Sequence, residues 1–210
     1  MLLDLFCGAG GCSVGYAQAG FEVEGVDIAP HPDYPYRLTV ADAMDVLTDS
    51  EYLNGFDVVH ASPPCQGYSV ITPDPTKHPR LIAPVRDLLR AWGGVYVIEN
   101  VEGARRELDH PVKVCGSSLG LGVRRHRYFE SNRFLTGTPC QHNLRPRPLG
   151  VYGNAGGTPG LAHHEPATLA TASAAMGIDW MRWDDLTDAI PPAYTAHLGR
   201  QLLEQIEAAA

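Results

Sequence analysis

Short apolar runs alternate with longer amphipathic stretches over the first 130 residues of the chain. The runs at Leu2 to Phe6, Glu22 to Val26, Arg37 to Val40, Val58 to Ala61, Val95 to Glu99, Val112 to Val114 and Arg127 to Glu130 are brief and apolar, and they predict strands. Helical patterns fall between most of them. Leu81 to Trp92, for example, carries apolar residues at 81, 82, 85, 88, 89 and 92, one face of a 3.6-residue period. Strands that alternate with helices predict an α/β fold with a mostly parallel twisted sheet and helices on both faces. From Ser131 to His164 the pattern lapses into Pro, Gly, Asn and His with no period, which predicts a loop-rich insert. Helices are expected again over Thr168 to Met176 and Pro192 to Ala208, the second with Tyr194, Leu198, Leu202, Leu203 and Ile206 as its apolar stripe. The expected organisation is a core over residues 1–130, an insert over 131–164, and C-terminal helices over 165–210 that return to the core.

Composition narrows the class. A chain of 210 residues with 44% apolar and 19% charged residues supports one sizeable core. The longest uncharged stretch, Leu5 to Phe21, is interrupted by five glycines and follows no basic residue, so neither a membrane span nor a secretory signal is expected. The expectation is a soluble cytoplasmic protein. Five cysteines, at 7, 12, 65, 115 and 140, have no paired spacing and do not predict a disulfide framework. The net charge of -8 opposes non-specific attraction to nucleic acid. Between Leu121 and Gly150, however, arginines 124, 125, 127, 133, 145 and 147 face a single acid, Glu130, which predicts a basic face on an acidic body.

Four motifs carry candidate chemistry. The first run ends in Asp4-Leu5-Phe6-Cys7-Gly8-Ala9-Gly10-Gly11, where glycines let the backbone turn tightly and approach a ligand ahead of a helix N-terminus. Ser13 stands where a dinucleotide fingerprint has its third glycine, which weakens a nicotinamide reading. Asp27 and Asp42 end the next two strands, either as acceptors for a cofactor or as plain surface acids. Ala61-Ser62-Pro63-Pro64-Cys65-Gln66-Gly67-Tyr68-Ser69 follows the fourth strand, with two prolines fixing the backbone just before a thiol. A nucleophilic cysteine there needs positive charge nearby, for which Arg125 and Arg127 are the candidates. Val97-Ile98-Glu99-Asn100-Val101 carries a carboxylate into an apolar run, where desolvation raises its pKa; the alternative is a helix cap. Arg125 and Arg127 occupy alternate strand positions and are expected to share a face. Cys115, His126, Cys140, His142, His163 and His164 include no C-x2-C or H-x3-H pair, so no metal site is expected.

The order of these motifs resembles that of the cytosine-C5 methyltransferases that use S-adenosylmethionine. The glycine turn, Asp27, Asp42, Pro63-Pro64-Cys65-Gln66, Glu99-Asn100-Val101, Arg125-x-Arg127 and Asp188-Ala189-Ile190-Pro191-Pro192 all occur in the family's order. The resemblance covers residues 2–130 well and about 165–207 more loosely. It implies a Rossmann-like methyltransferase fold and a DNA (cytosine-5) methyltransferase of bacterial or phage origin, as in restriction-modification. It also implies the roles: Phe6, Gly8, Gly10, Asp27, Asp42, Pro63 and Asp188 hold S-adenosylmethionine. Cys65 adds to carbon 6 of the base, Glu99 holds N3, Arg127 contacts O2 beside Arg125, and Gln66, Ser69, Asn100, Arg133, Arg145 and Arg147 meet the substrate. Covalent addition makes carbon 5 nucleophilic enough to take a methyl group, and in duplex DNA the base must first leave the stack. Gln66 to Arg80 corresponds to the family's loop that closes over the flipped base. Val123 and Thr187-Asp188 replace the family's usual Gln and Gly-Asn, and the insert is far shorter than the usual target-recognition domain. RNA or a free nucleotide as substrate, a non-catalytic module binding cofactor or DNA, and an accessory subunit or homodimer that supplies target recognition are the alternatives.

Overall fold

The apolar runs assemble into one seven-stranded sheet. Its strands are β1 (Leu2–Leu5), β2 (Val23–Asp27), β3 (Arg37–Val40), β4 (Val58–Ala61), β5 (Val95–Val101), β6 (Val112–Val114) and β7 (Arg127–Ser131), in the spatial order β3-β2-β1-β4-β5-β7-β6. The pairs from β3 through β5 are parallel, and β7 runs antiparallel to both β5 and β6. The computed structural model describes residues 1–142, 147–153 and 164–209.

Helices α1 (Gly11–Ala19), α2 (Ala43–Val46), α3 (Ser50–Leu53) and α4 (Ile82–Trp92) connect the strands. After a short pair of strands, β8 (Leu149–Gly150) and β9 (Glu165–Pro166), come α5 (Leu169–Met176), α6 (Trp183–Asp188) and α7 (Pro192–Glu207). Alternation along each strand sends residues to opposite faces. Leu3, Leu5, Val59, Ala61 and Ile98 meet Ile82, Val85 and Leu89 of α4 on one face. Leu2, Val58, Val97 and Phe129 meet Tyr16 of α1 and Tyr194, Leu198 and Leu202 of α7 on the other. The α1–α7 crossing is close because both helices lack side chains at the contact. A side-chain carbon at Gly15 would overlap Thr195 and the Pro192 carbonyl, and one at Gly199 would crowd Ala19 and Tyr16. A third cluster, Val123, Val151, Ala172, Met176, Ile178 and Leu186, packs the C-terminal helices beside the sheet.

Two expectations change here. The paired arginines were expected on one strand, but β7 begins at Arg127, and Arg125 precedes it with a φ of 24°. Among the described residues the expected basic face is also broken up. Arg125 is buried, Arg127 is enclosed beside Glu99, and Arg147 pairs with Glu165 at 3.2 Å. Arg133 follows β7 at the end of the sheet where Asn132 accepts the Tyr96 N–H, and Arg145 lies outside the described residues.

Candidate active site

Strand order reverses between β1 and β4, and a parallel sheet opens a crevice there at the carboxyl ends of its strands. A cavity of about 750 Å³ occupies that position. It gathers Phe6, Gly8, Asp27, Asp42, Pro63, Cys65, Gln66, Glu99, Arg127 and Asp188, residues drawn from seven separate segments of the chain.

One half is built by the turn after β1. Phe6 adopts φ 58° and Gly8 φ 51°. A left-handed phenylalanine costs on the order of 1–3 kcal/mol and marks a backbone held in place by its surroundings. Asp27 supplies part of that hold: its two carboxylate oxygens accept the Gly8 N–H at 2.9 Å and the Ala29 N–H at 3.0 Å. A carbon added at Gly8 would meet nothing within 4 Å, so the turn faces open space. Ile28 lines the same space while 73% exposed, an apolar wall that the sequence reading missed. Asp42 caps α2 by accepting the Met44 N–H at 2.8 Å, and it also lines the cavity. The charged part of the lining is mostly acidic. Asp4, Asp27, Asp42, Glu99, Asp184, Asp185 and Asp188 face one guanidinium, that of Arg127.

The other half holds the thiol. Cys65 sits on the turn after β4, partly buried. Burial raises the Cys65 thiol above its ordinary pKa, the Glu99 charge adds to the rise, and Arg127 opposes it. The register sets Arg127 opposite Val101, two residues beyond Glu99, so all three side chains share a face of the β5–β7 ladder. Arg127 Nε lies 3.1 Å from Glu99 Oε1, yet that oxygen has no aligned hydrogen-bond donor. Desolvation raises the Glu99 carboxyl to about 7, against the lowering effect of Arg127 and of a Ser62 hydrogen bond. Ser62 is itself held from below. His60 Nε2 lies 2.8 Å from its Oγ, and His60 Nδ1 lies 2.9 Å from the Tyr16 hydroxyl. His60 is fully buried, which pushes its pKa down to about 3 and keeps the ring neutral. With Tyr16 donating to Nδ1, Nε2–H donates to Ser62 and leaves the Ser62 hydroxyl proton for Glu99. Neither Ser62 nor His60 belongs to a charged motif, so only the folded geometry reveals them.

Several expected site residues lie elsewhere. Gly10 does not line the cavity; it caps α1 under Tyr34 and Pro35, with a φ of 91° that favours glycine. Asn100 faces away from Glu99 by strand alternation, is buried, and donates to the Pro63 carbonyl at 2.8 Å, which ties β5 to the thiol turn. Ser69 lies outside the lining, its N–H bound to the Cys65 carbonyl at 2.9 Å. Arg125 points the other way from Cys65: its guanidinium donates to the carbonyls of Val151, Leu186, Thr187 and Ala189. It therefore clamps the segment that leads into Asp188 instead of lending charge to the thiol. Arg133 and Arg147 do not reach the cavity.

The expectation about metals also meets a different arrangement. Cys115, His126, Cys140 and His142 bring their ligand atoms within 4.8 Å of one another, outside the cavity. Pair spacing does not detect them because three separate segments contribute; His164 instead meets Tyr152, and His163 is outside the described residues.

Comparison with known proteins agrees with the motif order. The profile of the family described as C-5 cytosine-specific DNA methylase matches residues 1–110. The type II methyltransferase M.XorII of Xanthomonas oryzae is 34% identical over 118 residues, 48% of this chain and 28% of that protein. M1.HphI of Haemophilus parahaemolyticus is 39% identical over 80 residues, 32% of this chain and 22% of that protein. The chain thus spans less than a third of the length of either relative. In solved structures, a prophage-encoded Escherichia coli protein described as a DNA modification methyltransferase superposes with a TM-score of 0.65 at 15% identity, over 98% of this chain and 99% of that one. A Schizosaccharomyces pombe Dnmt2 methyltransferase gives 0.59 at 12%, over 98% of each. These two likenesses establish a shared fold. Because the family profile spans more than half of the sequence and takes in the glycine turn, the thiol turn and Glu99, the chain belongs to the C-5 cytosine-specific DNA methylase family.

Proposed function

We propose that this chain methylates carbon 5 of cytosine in DNA, using S-adenosylmethionine and a transient bond between Cys65 Sγ and carbon 6 of the base. The observation that carries the reading is the meeting of Cys65, Glu99 and Arg127 at one end of a cavity whose other end is walled by carboxylates. The acidic wall suits the cofactor chemically. A sulfonium and an ammonium gain from surrounding carboxylates, whereas the pyrophosphate of a dinucleotide is repelled by them. Asp4 Oδ1, buried and without a hydrogen-bond partner, and the open space over Gly8 are further places for such a ligand. Phe6, Gly8, Asp27, Asp42, Pro63 and Asp188 hold it in this reading, with Ile28 as an added apolar contact. When bound, it supplies an electrophilic methyl group.

The chain's own residues activate the base. Cys65 loses its proton and forms the sulfur–carbon bond at carbon 6, which shifts an electron pair of the ring toward N3. Glu99 in its acid form gives a proton or hydrogen bond to N3, an effect typically worth 10²–10⁴ in rate. Arg127 steadies the oxygen at position 2, and Gln66 meets the substrate edge. A solvent water then takes the carbon 5 proton, whose electron pair returns to the ring and expels Cys65 as thiolate, while N3 gives any proton it took back to Glu99. Val70 and Ile71, 92% and 63% exposed, form the apolar tip of the loop that closes on the flipped base. Residues 1–130 and 165–210 form the catalytic unit, and residues 131–164 contact the target. With Arg133 at the far end of the sheet and Arg147 paired to Glu165, the described residues of the insert have little charge to spare for phosphate. That favours a free nucleotide as the second reading, or a partner copy or accessory subunit that supplies target recognition. The bacterial or phage setting is part of the same proposal; among the described residues no helix is long and apolar enough to cross a membrane.

The test is transfer of a labelled methyl group to duplex DNA, structured RNA and free cytidine nucleotide by the full chain. Incorporation into DNA that is lost in Cys65→Ala, with cofactor binding retained, is the expected result. Transfer that survives the substitution overturns the nucleophile, and transfer confined to RNA or nucleotide overturns the substrate.

A further inference from the structure

We propose that Cys115, His126, Cys140 and His142 form a structural zinc site that fastens the start of the insert to the β6–β7 ladder. The four ligand atoms lie within 4.8 Å of one another. Cys115 Sγ is 3.3 Å from His142 Nε2, the two Nε2 atoms of His126 and His142 are 3.3 Å apart, and Cys140 Sγ is 3.4 Å from His126 Nε2. A tetrahedron with zinc–sulfur near 2.3 Å and zinc–nitrogen near 2.0–2.1 Å separates neighbouring ligand atoms by roughly 3.3–3.8 Å. Two thiols and two imidazoles turned to one point at this spacing match that donor set.

The surroundings suit a metal centre. Ser117 Oγ lies 3.1 Å from Cys115 Sγ, Lys113 Nζ lies 3.0 Å from Cys140 Sγ, and Glu102 Oε2 lies 3.7 Å from the free ring nitrogen of His126. Donors to thiolate sulfur, and a carboxylate behind a ligating imidazole, are the usual outer contacts of zinc. A disulfide between Cys115 and Cys140 accounts for two of the four groups and leaves both imidazoles turned inward without a purpose.

The location gives the site its work. Cys115 follows β6, His126 precedes β7, and Cys140 and His142 lie on the chain that leaves β7 for the insert. Thr138 N–H to the Lys113 carbonyl at 2.8 Å and Gln141 N–H to Ser117 Oγ at 3.0 Å already lay that chain along the ladder. A segment as short as residues 131–164 cannot bury a core of its own, and chains below about 40 residues usually need a metal or a disulfide to hold a shape. His126 is adjacent to Arg127, so the same ion braces the cavity's guanidinium strand and the insert's point of departure. Binding releases the two thiol protons to solvent and changes no oxidation state.

The experiment is metal analysis of the full chain, purified under reducing conditions with zinc supplied, followed by replacement with cobalt(II). About one zinc per chain is expected, with visible bands of tetrahedral cobalt and thiolate-to-cobalt charge transfer. Cys140→Ser, at an exposed position that does not endanger folding, and Cys140→Ser with His142→Ala should lose the charge-transfer intensity stepwise while still binding S-adenosylhomocysteine. Chelation should speed proteolytic cleavage within 131–164 by about tenfold or more and leave the sheet folded. Metal content below about 0.1 per chain after reconstitution overturns the proposal. So does a cobalt spectrum indifferent to both variants, or a Cys115–Cys140 disulfide that persists in reductant.

Discussion

Glu99 and Cys65 oppose each other's ionisation, and this shapes the pH dependence of the proposed reaction. The reactive form needs the thiolate together with the neutral acid, while the raised thiol and a carboxyl near 7 make the reverse arrangement the common one above about pH 7. Below about pH 7 the acid is already protonated and the thiolate fraction grows tenfold per pH unit. Between about 7 and the thiol pKa the two trends cancel and the rate is level. The acid limb of kcat/KM is therefore expected near pH 7. In Glu99→Gln, whose amide is a permanent neutral donor, that limb moves up to the Cys65 thiol; an unmoved limb contradicts the pairing. Asp4 provides a separate check on stability. Burial raises its carboxyl to about 7 from 3.8, so the folded state holds a proton that the unfolded chain has released. The resulting cost is absent below about pH 4, grows as pH rises, and is complete above about 7. Asp4→Asn should thus stabilise the ligand-free protein by on the order of 1–4 kcal/mol near pH 8 and by little near pH 4, read by urea denaturation at both. Equal shifts at both pH values would show that the charge is not the cause.

At the scale of elements, the C-terminal helices complete the site from a distance in sequence. Arg125 binds carbonyls on either side of Asp188, and burial beside Arg127 lowers its pKa only to about 10, so it remains a cation at neutral pH. Removing it strands several buried carbonyls. Arg125→Ala should cost on the order of 1–3 kcal/mol for each carbonyl left buried and unpaired and weaken cofactor binding through the loosened 186–190 segment. Arg125→Lys should recover little, because one ammonium cannot reach carbonyls spread over a planar fork. Intact stability in Arg125→Ala, seen by thermal melting, would remove the clamp. The strands themselves were legible in the sequence. Arg37–Val40, Val58–Ala61 and Val112–Val114 fall on their expected bounds, and the others within two residues; the central parallel strands β1, β4 and β5 are buried and so read as continuous apolar runs. The thiol turn and Glu99 were legible for a related reason: prolines and a carboxylate in apolar company are chemically conspicuous. Arg125 was misread because spacing alone assumes that strand geometry extends past the strand's end. Ser62 and His60 were given no role, and the Cys115 cluster was weighed and set aside, because their meaning lies in contacts between segments far apart in sequence.

For the whole molecule, charge and topology point in different directions. The sheet order and the cavity at its reversal suit base chemistry, while the net charge of -8 and the separation of Arg133 and Arg147, the described arginines of the insert, leave little to grip a phosphate backbone. Non-specific affinity for duplex DNA should therefore depend only weakly on salt, with a log–log slope shallower than about -2. A slope beyond about -5 would mean that residues 131–164 present a basic surface after all. The central claim is nevertheless chemical, and trapping the protein with 5-fluorocytosine probes it most directly. Duplex DNA, RNA and nucleotide carrying that base are each incubated with the full chain and S-adenosylmethionine, then analysed by intact mass. Fluorine cannot leave as a cation, so a species of protein plus methylated DNA should accumulate, absent from Cys65→Ala. Cofactor bound and yet no adduct on any of the three would contradict the account.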